Sequence, residues 1–303
     1  MTDTRVGLRR QIDSAGDLQG VVRTMRAMAA SSIQAYRQSV LALGAYHRAV
    51  ELGLGACLRD QGAQSGLPED EPAARDSAVV VIVFGADQGL VGAFNDVVVD
   101  HVVRALRAPG ASGAVGSEGR APEVWAVGER VHARLCDAGL TPRGVHAVPT
   151  SVQAIAPLVG RIQIDAETQR TPLTRLLVFH NRPTAVGLYT PVQQCLLPLD
   201  GRWRRHHVAQ RWPTRVVPQV MGSHSGTLRL LVREFLFISL FRACAESLAA
   251  ENASRLAAME RADKNIDELL ADLRTVHQRV RQAAIDEELF DVVAGFDAQS
   301  ARP

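Results

Sequence analysis

The stretch from Thr227 to Ala294 contains neither Gly nor Pro. It is rich in Ala, Leu, Arg and Glu, which are strong helix formers. Its apolar residues recur in steps of three and four: Leu228, Leu231, Phe235, Ile238, Phe241, Ala245 and Leu248. The stripe runs on through Leu256, Met259, Ile266, Leu269, Leu273, Val276, Val280 and Ala284. Such spacing puts these side chains on one face of a helix. Unbroken, that helix is on the order of 100 Å long. No single core buries a rod of that length, so it needs a partner helix or a surrounding sleeve.

The other end of the chain has a matching pattern. From residue 3 to about residue 60 no Pro occurs, and Leu8, Ile12, Ala15, Leu18, Val22, Met25, Ala29, Ile33 and Tyr36 open a second stripe. It continues through Val40, Leu43, Val50, Leu54 and Leu58. Gly16, Gly20 and Gly44 weaken this helix by up to about 1 kcal/mol each relative to Ala, but let a neighbouring backbone come close. Arg9, Arg10, Arg23, Arg26 and Arg37 lie off the stripe and read as a solvated face.

Between the rods the pattern changes. Residues 61–76 are polar and rich in Gly and Pro, a linker signal. Ala78 to Phe84 is a β-branched run expected to form a buried strand. A helix over 95–106, a flexible loop over 108–122 and a strand over 123–127 follow. Next come a helix over 129–138, a short strand near Val145, a helix over 152–167, and strands over 174–179 and 188–197. Strands alternating with helices indicate an α/β layer with a mostly parallel sheet. Residues 201–226 carry five arginines, three histidines and no acid, and are expected to be irregular.

The fold class that results is α/β plus a long antiparallel α-helical coiled coil. N- and C-terminal helices flank an inserted α/β domain. The divisions are 1–60 (N-terminal helix), 77–200 (inserted α/β domain), 201–226 (basic connection) and 227–296 (C-terminal helix).

Composition excludes several classes of function. The 303 residues have a net charge of +2 and are 47% hydrophobic, giving neither a global pull toward nucleic acid nor a disordered chain. Cys57, Cys136, Cys195 and Cys244 are scattered without ligand-like spacing, which fits a reducing compartment. MTDTRVGLRRQ has no apolar core of a signal peptide, and no apolar run approaches the roughly 20 residues of a membrane span.

Few motifs suggest chemistry. Gly85 to Gly92 (GADQGLVG) follows a strand and precedes a helix, where backbone N–H groups can hold a phosphate. Its spacing is neither GxGxxG nor that of a P-loop. A structural turn built on Asp87, Gly89 and Gly92, with Asp87 capping backbone amides, is the better reading. His206, His207 and His224 lack companion ligands and read as part of an exposed basic loop, so no metal is expected. No catalytic constellation occurs, and no cofactor is expected. The apolar end Leu289-Phe290-Asp291-Val292-Val293 needs a cover from elsewhere.

Three stretches together resemble the gamma subunit of F-type ATP synthases over essentially the whole chain. Thr24-Met25-Arg26-Ala27-Met28-Ala29-Ala30-Ser31 is similar to the family's T-x-x-M-x-M-V-A-A-S-like run. Asp87 to Asn95 (DQGLVGAFN) is similar to its D-R/K-G-L-C-G-G-F-N. Glu246 to Met259 (ESLAAENASRLAAM) and Val280 to Ile285 (VRQAAI) resemble E-x-L-A-S-E-x-x-A-R-M-x-A-M and A-R-Q-A-x-I. Ala86 and Val91 stand where the family usually has Ser and Cys, and Asp286 where many members have Thr. These departures suggest a divergent branch, of the kind carried by an alternative ATPase operon.

The resemblance implies a Rossmann-like inserted domain and a non-catalytic rotor shaft. Such a shaft couples ion translocation to ATP synthesis or hydrolysis. Its implied partners are the alpha and beta subunits of the hexamer, the epsilon subunit and the c-subunit ring, with no nucleic acid. The implied location is peripheral, at the cytoplasmic face of the bacterial plasma membrane. The implied rotor–stator contacts are Met25, Glu251, Arg255, Arg281 and Gln282. The glycine-rich turn keeps one alternative open: an autonomous nucleotide-binding α/β protein with a coiled-coil arm. The basic segment keeps another, a scaffold that binds DNA through residues 201–226.

Overall fold

The computed structural model describes residues 2–64, 79–107, 121–168, 175–184, 188–199, 201–210, 212–216, 218–220 and 222–300. Most of the expected 61–76 linker and of the 108–122 loop lies outside the described residues. The chain forms two compact units. One comprises Met1–Ala29 with Arg255–Pro303, the other Ala30–Ser254. Helix α1 (Thr2–Gln64) and helix α6 (His224–Ser300) each run through both. At 77 residues, α6 is about 115 Å long.

The larger unit is built on a five-stranded mixed sheet. Its strands are β1 (Val79–Phe84), β2 (Glu123–Val127), β3 (Gly144–His146), β4 (Arg175–Pro183) and β5 (Tyr189–Leu197). The order is β3-β2-β1-β4-β5, with the first four parallel and β5 antiparallel to β4 at the edge. The central strand β1 reads VVVIVF and is buried throughout, because both its faces are covered. Its alternate side chains feed two separate cores. Val79, Val81 and Val83 pack with Val98 and Val102 of α2 (Phe94–Arg107) and with Val131 and Leu135 of α3 (Glu129–Asp137). Val80, Ile82 and Phe84 face the other way. They join Ile155 and Leu158 of α4 (Ile155–Thr168), Tyr36 and Leu54 of α1, and Ile238, Leu240 and Leu248 of α6. The period-two pattern of one strand thus places helices on both sides of the sheet.

Residues 201–226 are more ordered than expected. Gly201–Ala209 forms helix α5, and α6 begins at His224. The side chain of His206 lies outside the described residues. His207 is buried, not exposed: its ring stacks on Trp203 at 3.8 Å, and its Nε2 lies 3.2 Å from Glu51 Oε1. His224 Nε2 meets the Cys57 carbonyl at 2.9 Å. Both imidazoles fasten this segment to α1, His207 buried and His224 half-buried.

The smaller unit pairs the outer parts of the two long helices. Ala15 and Val22 of α1 pack with Met259, Ile266 and Leu270 of α6, flanked by Ile12 and Met25. Polar groups join them. Gln19 Nε2 donates to Asp267 Oδ1 at 2.5 Å and to Asp263 Oδ1 at 3.2 Å. Arg23 Nε donates to Asp263 Oδ1 at 3.1 Å and Arg26 Nη1 to Asp263 Oδ2 at 2.8 Å. Rising numbers on α1 therefore meet falling numbers on α6. Arg23 and Arg26 are ion-paired across the helices while staying about half exposed, so this face is paired as well as solvated.

Candidate functional site

Three places carry the residues singled out by sequence. The first is the turn between β1 and α2. Gly85 leaves β1 where a Cβ would lie 2.3 Å from Val131 Cβ and 2.8 Å from Asn95 Oδ1, so no larger residue fits. The Ala86 N–H donates to Asn95 Oδ1 at 3.0 Å. The Asp87 carboxylate accepts from the Glu129 N–H with Oδ1 and from the Val148 N–H with Oδ2, each at 2.9 Å. The amides it holds are thus 42 and 61 residues away, at the start of α3 and after β3. This loop supplies an anion to a helix start, the opposite of what a phosphate-binding loop does. Gly89 lies under the Arg130 guanidinium, and Gly92 has a φ of +58°, as the end of the turn requires.

The second place is where α6 crosses the carboxyl end of β4. Glu246, with its side chain only 9% exposed, receives three hydrogen bonds. His180 Nε2 lies at 2.9 Å and Arg182 Nε at 2.7 Å from Oε2, and Arg242 Nε at 2.7 Å from Oε1. Burial alone pushes the Glu246 carboxyl up; the three donors outweigh it and hold it at about 2. Burial lowers the His180 imidazole and outweighs the raising effect of the adjoining carboxylate. An ionised carboxylate only accepts, so a proton sits on Nε2. The other ring nitrogen, Nδ1, is buried without a hydrogen-bond partner among the described residues. Sequence reading missed His180 and Arg182 altogether. Glu246 was visible only as the first letter of a helical motif.

The third place is the outer length of the long helices. Met25 is half-buried beside Met259 in the smaller unit. Arg255 is half-buried, while Glu251 in the larger unit is buried. Arg281 and Gln282 are both exposed, and Gln282 Nε2 donates to Asp286 Oδ1 one turn on at 3.2 Å. Beyond them Leu289 and Phe290 stand 60% and 73% exposed.

Among the described residues no group of three or more His, Cys, Asp or Glu side chains could hold a metal ion. Cys57, Cys136, Cys195 and Cys244 form no disulfide among the described residues. No helix among the described residues is long and apolar enough to cross a membrane.

Comparison with known proteins agrees along the whole chain. The family model for ATP synthase matches residues 6–299. The ATP synthase gamma chain of Granulibacter bethesdensis is 26% identical over 304 residues, covering 96% of this chain and 98% of that one. That of Herpetosiphon aurantiacus is 25% identical over 308 residues, covering 96% and 97%. Among solved structures, a chain of the Euglena gracilis mitochondrial ATP synthase in rotational state 3 aligns with a TM-score of 0.58 at 16% identity, covering 99% of this chain and 96% of that one. A chain of the rotor of the same enzyme in rotational state 1 gives 0.54 at 17% identity, covering 94% and 100%. The structural likeness extends to the fold, and the end-to-end family match to descent: this chain belongs to the ATP synthase gamma-chain family, whose members are non-catalytic subunits of the central stalk.

Proposed function

We propose that this gamma chain turns as the rotor shaft of an F-type ATP synthase. It couples ion translocation through a membrane ring of c subunits to ATP synthesis or hydrolysis in an alpha–beta hexamer. The observation that carries the reading is the family match over residues 6–299 on a chain whose two ends are long helices paired antiparallel. On this reading the paired helices act as a coiled coil inside the hexamer, and the 77–200 domain is Rossmann-like. The sheet order β3-β2-β1-β4, with helices on both faces, supports the second point. The segment 201–226 joins that domain to the shaft, so the 1–60 and 227–296 helices bracket everything else.

The α/β domain would rest on the c ring beside epsilon, at the cytoplasmic face of a bacterial plasma membrane and peripheral to it. The mechanism needs no chemistry from this chain. An asymmetric shaft makes different contacts with three otherwise equivalent sites at each angle, and those contacts shift their populations. Arg281 and Gln282, exposed near the end of α6, fit a charge-assisted contact with a beta-subunit loop. Met25 and Arg255 fit a second rotor–stator contact. Glu251 is assigned to a rotor–stator contact as well, and its side chain is buried in the larger unit.

The test is the double substitution Arg281→Ala with Gln282→Ala in the assembled complex in vesicles. ATP-driven ion uptake falls while the isolated chain keeps its melting temperature. Unchanged uptake would falsify the assignment of these residues.

A further inference from the structure

Helix α6 presents three side chains in successive steps of four residues to the α/β layer: Glu246, Ala250 and Ser254. Glu246 takes hydrogen bonds from His180 and Arg182 of β4 at 2.9 and 2.7 Å. Ala250 packs with Ala86, Val91 and Phe94 of the β1–α2 turn. Ser254 Oγ donates to the Val91 carbonyl at 2.5 Å. Steps of four keep all three on one face of the helix. The motif that begins at Glu246 therefore fastens α6 to its own sheet.

We propose that this stripe, with Glu246 as its strongest member, is the torque-bearing joint between the α/β layer and the long helix. The inference rests on the rotor reading. A rotor driven through its α/β domain must turn the helix without letting it slip. The hydrophobic driving force is itself non-directional, so a fixed angle draws on directional contacts as well as on interlocked packing. Charge-assisted hydrogen bonds are directional, short and roughly twice as strong as neutral ones. Glu246 supplies two that cross from β4 to α6, in a setting that excludes most water. Arg242 binds the same carboxylate at 2.7 Å, but it sits one turn earlier on α6 itself and ties nothing to the sheet. That difference separates a positioning residue from a merely stabilising one.

The experiment compares Glu246→Gln, Arg182→Gln and Arg242→Ala in the full complex reconstituted in vesicles. ATP hydrolysis and ATP-driven ion uptake are measured together, with the melting temperature of each isolated chain. Glu246→Gln and Arg182→Gln keep hydrolysis but lose most of their ion uptake per ATP. Arg242→Ala loses thermal stability but keeps uptake per ATP. Equal uptake per ATP in all three, or a loss that simply tracks melting temperature, overturns the joint. Arg182→Gln carries the test if Glu246→Gln fails to fold. If the wild-type complex itself shows no ATP-driven uptake, the rotor reading fails first, and that result is distinct from wild-type coupling that survives both β4-side substitutions.

Discussion

The two compact units are held together by different means. The larger is a layered core in which Phe84, Phe94, Phe179, Leu54 and Ile82 are fully enclosed by their own chain. The smaller has a thin apolar seam of Ala15, Val22, Met259, Ile266 and Leu270, reinforced by a carboxylate and two guanidinium groups. It also leaves large apolar side chains uncovered, including Leu18, Met28, Leu289 and Phe290. The larger unit also exposes large apolar side chains, Leu41 and Leu230 among them, but it has an enclosed layered core of its own, whereas the smaller has only the seam. Helix propensity and a narrow seam hold a rod in shape, while bulky interdigitated side chains fix a layered domain.

That contrast can be broken most severely in the layered unit. Phe179→Ala removes a fully buried ring and costs about 3–5 kcal/mol, read from urea unfolding followed by circular dichroism. A loss no larger than that of a surface substitution would deny that this core is close-packed.

Acid offers the next lever on the same unit. The Glu246 carboxyl is held at about 2, below its ordinary value of 4.5, so its contribution is fully present above about pH 4.5 and disappears as pH falls toward 2. The lowered His180 imidazole acts in the same direction, because the unfolded chain takes up that proton first as pH falls below 6.5. The wild type therefore loses on the order of 2 kcal/mol more than Glu246→Gln between pH 6 and pH 3. Parallel pH profiles for the two proteins would remove the cluster from the account.

The seam of the smaller unit is worth less. Asp263→Ala removes three hydrogen bonds, but Arg23 and Arg26 are about half exposed and regain water, so the cost is about 1–2 kcal/mol. Hydrogen exchange should localise the loss to the outer parts of α1 and α6. Uniform loss across the sheet would mean that the units unfold as one. The smallest effect belongs to the uncovered side chains. Phe290→Ser changes the stability of the isolated chain by less than about 0.5 kcal/mol while reducing self-association in ultracentrifugation.

The periodic stripes show where sequence reading stops. They gave the length and the buried face of both rods, yet they missed individual positions by one residue. The stripe was drawn through Leu18 and Leu269, which are more than half and half exposed, whereas the neighbouring Gln19 and Leu270 are buried. Gln19 is polar, and nothing local predicts its burial. Asp263 and Asp267 on the other helix satisfy its amide and make the buried position tolerable. The same holds at the β1–α2 turn. A capping role for Asp87 could be read from a short acid after a strand, but the amides it reaches belong to α3 and to the segment after β3. The helix α5 was missed because its run of Arg and His has no apolar period; its order comes from Trp203 and His207 seating against α1 and α6.

By itself the sequence determined the kinds of element and their order. Those follow from local quantities: a Gly- and Pro-free run, a period of 3.6 or 2, and motif letters at fixed spacing. Only the tertiary structure decided which polar groups meet: Glu246 with β4, Asp263 with α1, His207 with Glu51. Hydrogen bonds and ion pairs act over a few ångströms in space, and their partners here lie 64 to 244 residues apart along the chain, where periodicity carries no information.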